Sequence, residues 1–469
     1  MPTPPIAFGA SGWRGILGDD FTFSNVRRVT RAVARCFRAA AAPKSPRVFI
    51  GYDTRFLSEH FSREVASVLH AEGVRPVLSA GFVPTPAVSH AVLHGRFDGA
   101  IHLTGGHQTS EYHGMKIAVR DGLPAPPEMM RSVEAILREN PDPSPAPPLD
   151  PSRVKQIDAA PEYRKAVRRH FRPRVLARGR LKLVWDSGHG AGGDHLPALV
   201  GAAARVSSIR TGRDVTFGGL LPDCSERHLA PLIEEVRRRG AHLGLATDGD
   251  ADRFGVVDRG GRFVPANFLL PLLADYLLET RRPGSGIARS VATTRLLDDV
   301  AALHGVSIFE TPVGSQEARP LLSSGRAFLA CEESAGMTLR GHVPENDGLL
   351  AGCLIAEMVA FRRKPLHHQI QDLFRRIPQR VSRREDYRLD SEQIEELRLR
   401  LENPPESLAG RKVARIERHD GPLLIFQDGS WFFARLSGTE PVARCYAEAR
   451  SPRDLARLLD AGRALIQAR

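Results

Sequence analysis

The sequence predicts an α/β protein of several domains, and three observations carry that expectation. At 469 residues the chain exceeds the roughly 250–300 residues at which single cores stop growing. Short apolar runs alternate with helix-like stretches, the signature of repeated βα units. Clusters of small and polar residues stand just after those runs, at the carboxyl ends of strands, where open α/β sheets bind ligands.

The first unit reads as a strand at Val48-Phe49-Ile50-Gly51, a helix from Glu59 to Glu72 and a strand at Val74 to Leu78. A Pro-rich linker, Pro141 to Pro148, follows. The second unit opens with Leu181 to Trp185 and Asp186 and closes at Gly244-Leu245-Ala246, before Thr247-Asp248. The third opens near Ile287 to Ala292 and reaches Ala327-Phe328-Leu329-Ala330 before Cys331-Glu332-Glu333-Ser334. From about Val381 the character changes to a charged helix, Ser391 to Leu401, and two apolar runs, Leu423 to Phe426 and Trp431 to Ala434, around the turn Gln427 to Ser430. That pattern predicts a β-hairpin in a smaller α+β domain. A last helix spans Pro452 to Gln467.

The balance of 42% hydrophobic and 26% charged residues is that of a soluble protein able to bury real cores. A net charge of +12 raises nucleic acid, membrane or small anions as partners. The arginines are scattered in short runs such as Arg237-Arg238-Arg239, with no nucleic-acid fold motif beside them, so a solvated surface and a few phosphate-ester contacts are expected. Five widely spaced cysteines without a CxxC pair fit a reducing compartment. The start of the chain lacks signal-peptide regions and no uncharged run approaches bilayer length, so a cytosolic protein with no membrane partner is expected.

The sharpest motif is Thr247-Asp248-Gly249-Asp250-Ala251-Asp252-Arg253, where three carboxylates alternate with small residues. Such a loop can turn all three toward one hard cation, and oxygen ligands suit Mg²⁺. It lacks the closing glutamate of an EF-hand. Near the C-terminus, Arg435-Leu436-Ser437-Gly438-Thr439-Glu440-Pro441 and Arg444 combine small residues, whose backbone N–H groups can close on phosphate, with charge-assisted arginine contacts. Ser11-Gly12-Trp13-Arg14-Gly15 reads as another small-residue loop with one arginine, and Glu332 and Ser334 offer acceptors for sugar hydroxyls.

Together and in this order, with Gly51-Tyr52-Asp53-Thr54-Arg55, Pro84-Thr85-Pro86, Asp186 to Gly193, Gly341 to Pro344 and Asp347-Gly348 in support, these segments make the chain resemble the α-D-phosphohexomutases, the phosphoglucomutase and phosphomannomutase group, from Phe8 to about Glu448. The resemblance implies three similar α/β domains plus a smaller C-terminal α+β domain around a central cleft. They would divide at residues 1–150, 151–257, 258–378 and 379–469. It further implies Mg²⁺ on Asp248, Asp250 and Asp252, sugar hydroxyls on Glu332 and Ser334, and the substrate phosphate on Arg435, Ser437, Gly438, Thr439 and Arg444. Arg14, Arg253 and Lys116 would line the phosphoryl-transfer centre, with a hexose 1,6-bisphosphate as activator and a phosphosugar as partner.

One departure is central. The family carries its phosphoryl group on a serine in a loop reading T-A/G-S-H-N-P, whereas this loop reads Thr104-Gly105-Gly106-His107-Gln108-Thr109. Gly106 stands at the serine position and can carry nothing. Gln316 also replaces a family lysine. Three readings follow: a mutase with another acceptor, His107 first and then Ser110, Thr109 and Thr104; an enzyme moving phosphoryl groups between a sugar bisphosphate and water or another acceptor directly; or a non-catalytic phosphosugar-binding protein. In the family the histidine at the place of His107 has a supporting role.

Overall fold

In the computed structural model, residues 6–9, 12–139, 144–150, 154–437 and 442–467 are described, and they fall into two units. The first comprises Met1–Pro265 and Ser334–His367, the second Ala266–Glu333 and His368–Arg469. No described helix is long and apolar enough to cross a membrane.

The first unit holds two sheets. One orders its strands Trp13–Ile16, Tyr112–Val119, Gly99–Leu103, Arg47–Tyr52, Arg75–Ser79 and Lys155–Ile157, parallel from Gly99–Leu103 onward and antiparallel before it. Helices Phe23–Ala41, Ser58–Ala71 and Thr85–Gly95 connect the strands and cover the sheet. The predicted helix from Glu59 and strand to Leu78 lie here within a residue or two of expectation. Its core joins Val29, Val33 and Phe37 of the first helix to Val48, Ile50, Ile101 and Leu103 of the strands.

The second sheet orders Arg262–Phe263, Phe254–Asp258, Leu243–Thr247, Lys182–Asp186 and Arg205–Ile209. Every residue of Leu243–Thr247 is buried, as a strand covered on both faces requires. Much of that cover is the helix Gly348–Arg362, whose residues Gly348 to Ala360 are all buried and which packs on Leu243–Thr247 and Phe254–Asp258. Asp347 caps it, accepting from Leu350 N at 2.9 Å and from Tyr163 Oη at 2.8 Å.

The stretch expected as a loop from Ser11 to Gly15 is corrected: Trp13–Ile16 is a strand paired with Tyr112–Val119, and Arg14 stands opposite Gly114. Its glycine serves close approach, not looseness. A Cβ on Gly12, at φ +115°, would fall 2.2 Å from Met115 O.

In the second unit, Ile308–Thr311, Gly286–Ser290 and Ala327–Glu332 run parallel. An antiparallel sheet follows, ordered Val381–Arg388, Val442–Ala449, Trp431–Leu436, Pro422–Phe426, Arg411–Arg418 and Ser407–Leu408. The expected hairpin is present, with Leu423 opposite Phe433 and Ile425 opposite Trp431. Both of its faces are buried, which explains two unbroken apolar runs instead of alternation. Leu424, Phe426 and Phe432 pack on Leu397, Leu455 and Leu458, while Leu423, Ile425, Trp431 and Phe433 pack with Val291 and Ala292.

Candidate active site

The three aspartates occupy the turn between the antiparallel strands Leu243–Thr247 and Phe254–Asp258, with Ala251 in the left-handed region at φ +59°. One carboxylate oxygen from each lies within 4.8 Å of the others. Asp248 and Asp250 are buried, and Asp252 is partly exposed. Asp250 Oδ2 accepts from Lys116 Nζ at 2.5 Å and Thr85 Oγ1 at 2.6 Å, and Asp252 Oδ2 accepts from Lys116 Nζ at 2.8 Å. Asp248 Oδ1 accepts from Arg253 N at 3.1 Å, and the Arg253 side chain stands 3.9 Å from both Asp248 and Asp252.

Two oxygens, Asp248 Oδ2 and Asp250 Oδ1, are buried with no hydrogen-bond donor among the described residues. Burial and the neighbouring Asp252 and Asp250 push the Asp248 carboxyl well above its usual range. For Asp250 burial is the largest single cause and acts the same way, but the Lys116 ammonium, the Thr85 hydroxyl and His102 together outweigh it and hold the group below that range. Burial lowers the Lys116 pKa less than Asp250 and Asp252 raise it, so the lysine stays charged. The site thus gathers three carboxylates, one bridging ammonium and two buried oxygens without a donor. That donor set fits a hard divalent cation such as Mg²⁺.

Lys116 lies on Tyr112–Val119 opposite His102, and Thr85 opens a helix while its N–H donates to Asp250 O. His102 Nδ1 is 3.1 Å from Thr85 Oγ1. Because the single threonine proton goes to Asp250, the histidine is the donor in this pair. Burial holds that imidazole neutral, at a pKa of about 4.

Gly106 sits at φ +59° in the loop after Gly99–Leu103, its N–H donating to Thr104 Oγ1 at 2.9 Å. A Cβ there would meet two atoms within 4 Å: Arg14 Nη2 at 3.3 Å and Asp250 Oδ1 at 3.6 Å. The position expected to bear the nucleophile therefore faces one of the two donorless carboxylate oxygens. Thr104 is buried, as is Thr109 Oγ1, while His107 and Ser110 are half-buried.

In the second unit Glu332 ends the strand Ala327–Glu332, and Ser334 belongs to the segment returned to the first unit. Arg435 and Arg444 stand directly opposite across neighbouring strands, a like-charge pair that costs stability unless an anion is near. Arg435 Nη1 pairs with Asp420 at 3.1 Å, and Arg444 lies 3.9 Å from Asp386. Ser437 N donates to Val442 O at 2.8 Å, and Gly438 and Thr439 lie outside the described residues.

Sequence reasoning passed over Thr85 and Asp420. The first sits in a segment already noted, Pro84-Thr85-Pro86; the second carries no motif at all. Gln316 lies half-buried in a short 3₁₀ turn, Ser315–Ala318.

Four domain descriptions match the chain: phosphoglucomutase/phosphomannomutase alpha/beta/alpha domain I over residues 5–143, domain II over 161–261, domain III over 265–377 and the C-terminal domain over 396–464. A Thermococcus kodakarensis phosphoglucomutase/phosphomannomutase is 29% identical, with 98% of each chain covered. A Pyrococcus abyssi protein described as a probable phosphoglucosamine mutase is 30% identical, over 98% of this chain and 97% of the other. Among solved structures, a phosphoglucomutase/phosphomannomutase family protein from Burkholderia thailandensis superposes with a TM-score of 0.79 at 26% identity, covering 98% of this chain and 96% of that one.

Proposed function

The chain belongs to the phosphoglucomutase/phosphomannomutase family, and from that membership we propose that it binds hexose phosphates with Mg²⁺ and moves a phosphoryl group between the sugar's 1 and 6 positions by a route that does not use residue 106. The observation that carries this reading is the direction of the missing side chain. At Gly106 it points to Asp250 Oδ1 and Arg14, so the charged frame of a transfer centre stands around a position that holds no carrier.

Asp248, Asp250 and Asp252 would hold the ion, which supplies charge neutralisation during phosphoryl transfer. Lys116 fixes the orientation of Asp250 and Asp252 through its two hydrogen bonds. Thr85 donates to the same Asp250 oxygen as Lys116, the Arg253 main chain holds Asp248 Oδ1, and Arg14 and Arg253 offer guanidinium donors to phosphoryl oxygens. Arg435, Ser437, Gly438, Thr439 and Arg444 would take the substrate's phosphate and Glu332 with Ser334 its hydroxyls, with a hexose 1,6-bisphosphate as activator. Of the alternative acceptors, Thr104 and Thr109 have buried hydroxyls, which leaves His107 and Ser110. The setting we propose is cytosolic, in keeping with five cysteines that form no disulfide.

The same observation favours a second reading, a phosphosugar-binding protein without turnover, since no hydroxyl stands where Gly106 faces Asp250. Mutase assays with glucose 1-phosphate, Mg²⁺ and a trace of glucose 1,6-bisphosphate separate the two. Activity in the parent protein that disappears in Asp250→Ala supports the serine-independent route. A silent parent with activity gained in Gly106→Ser rejects that route and leaves the binding role. No activity and no binding of any hexose phosphate removes both.

A further inference from the structure

Arg55 follows the strand Arg47–Tyr52 and is fully buried, a position prohibitive for a guanidinium without partners. Its outer nitrogens donate to four main-chain carbonyls of one loop. Nη1 reaches Thr109 O at 2.6 Å and Tyr112 O at 2.9 Å, and Nη2 reaches Gly106 O at 2.8 Å and Gln108 O at 2.6 Å. Nε lies 3.3 Å from Asp53 Oδ2, with both side chains wholly buried, and the guanidinium carbon stands 4.9 Å from the Phe217 ring centroid. Carbonyls that a helix or sheet would normally satisfy are here gathered on one planar cation.

The backbone that carries Arg55 is itself held. Arg213 donates to Thr54 O at 2.9 Å and Arg55 O at 2.8 Å and makes a two-pronged pair with Glu59. Gly105 answers the same contact, because a Cβ there would fall 2.6 Å from Arg55 Nε. The neighbouring carbonyl then reaches the acidic loop. Gly249, between Asp248 and Asp250, abuts Gly106 O so closely that a Cβ on it would come within 2.4 Å. Gly106 O is thus gripped by Arg55 and pressed against the turn that presents the aspartates.

We infer that Arg55 is a positioning residue that sets the loop 105–112 against the aspartate turn and, through the contact of Gly106 O with Gly249, tunes the affinity of the triad for its cation. The second clause rests on the metal reading above; the first stands on the loop alone. Lysine would keep the charge but not the planar fork that spans four carbonyls.

The test uses the full chain, Mn²⁺ as an oxygen-seeking probe read by electron paramagnetic resonance, and hydrogen exchange of peptides covering 104–112. Arg55→Ala should weaken Mn²⁺ binding about tenfold, the scale of losing a group that supports metal ligands. Exchange in 104–112 should quicken, while exchange in Trp431–Leu436 and Val442–Ala449 stays as in the parent. Guanidinium ion at millimolar concentration should restore affinity and protection, and methylammonium neither. Arg55→Lys should show the same losses without rescue, and it replaces Arg55→Ala if that variant does not fold. Parental Mn²⁺ affinity and parental exchange in either variant would overturn the positioning role. A parent that binds no Mn²⁺ rejects the metal reading, and exchange in 104–112 then decides the role of Arg55 by itself.

Discussion

The ammonium of Lys116 sits 2.5 Å from the carboxylate of Asp250, in a pocket of charge where three aspartates face one lysine. The lysine meets part of the demand for positive charge, and Asp248 Oδ2 and Asp250 Oδ1 remain for an ion. A cation bound there would share these carboxylates with the lysine, and each would reduce the other's gain.

Lys116→Met should lower stability without metal by about 3–5 kcal/mol, the cost of leaving buried carboxylates without their partner. Mg²⁺ should recover more of that loss than it adds to the parent. Thermal melts with and without Mg²⁺ measure both, and a smaller Mg²⁺ shift in the variant would show that the lysine assists the ion.

Gly249→Ala places a methyl group 2.4 Å from Gly106 O, a main-chain atom that cannot step aside. Strain of about 1–3 kcal/mol and weaker Mn²⁺ binding should result. Gly81→Ala is the control, since no atom lies within 4 Å of its Cβ, and it should stay within about 0.5 kcal/mol of the parent in urea titrations.

Acid should destabilise the first unit through histidines buried in neutral form. Burial is the leading cause in each: His90 and His195 are held to about 4 and His113 to about 3. His94, His342 and Arg169 add to the effect at His90, Arg164 at His195 and Arg55 at His113, while Asp347 opposes it at the first two. The unfolded chain binds these protons near pH 6.5 and the folded one does not, so the stability present above pH 6.5 is lost as the pH falls toward about 3. Urea midpoints from pH 7.5 to 4.5 should fall steadily, and less steeply in a His90→Gln, His195→Gln double variant.

Glu448 is buried where it accepts from Thr294 Oγ1, Arg295 N at 3.1 Å and Trp431 Nε1 at 3.1 Å. Glu448→Ala strands three donors and should cost about 3 kcal/mol, whereas Glu448→Gln keeps an acceptor and should cost less. Chemical denaturation of the parent and both variants measures the difference.

What could be read from the sequence follows from which atoms make the contacts. The aspartate turn and the Leu423 to Ala434 hairpin announce themselves because side chains define them. The small residues around Arg14 suggest a loop, whereas they flank a strand and Gly12 serves a main-chain approach to Met115. The role of Arg55 left no trace in its surroundings, since its four partners are carbonyls and any residue could supply them. The helix Gly348–Arg362 shows no polar stripe for the same reason that it matters: it is covered nearly all round.

That helix also sets an order of events at the ribosome. The first unit is left at Pro265 and rejoined at Ser334, so the strands Lys182–Asp186 and Leu243–Thr247 emerge well before the helix that covers them. Until it arrives, Leu196 and Leu245, which flank Gly352 in the finished protein, lack their cover. A nascent chain paused within Ala266–Glu333 is therefore a half-roofed intermediate with an open apolar floor, the kind of species that chaperones hold and that aggregates when they do not.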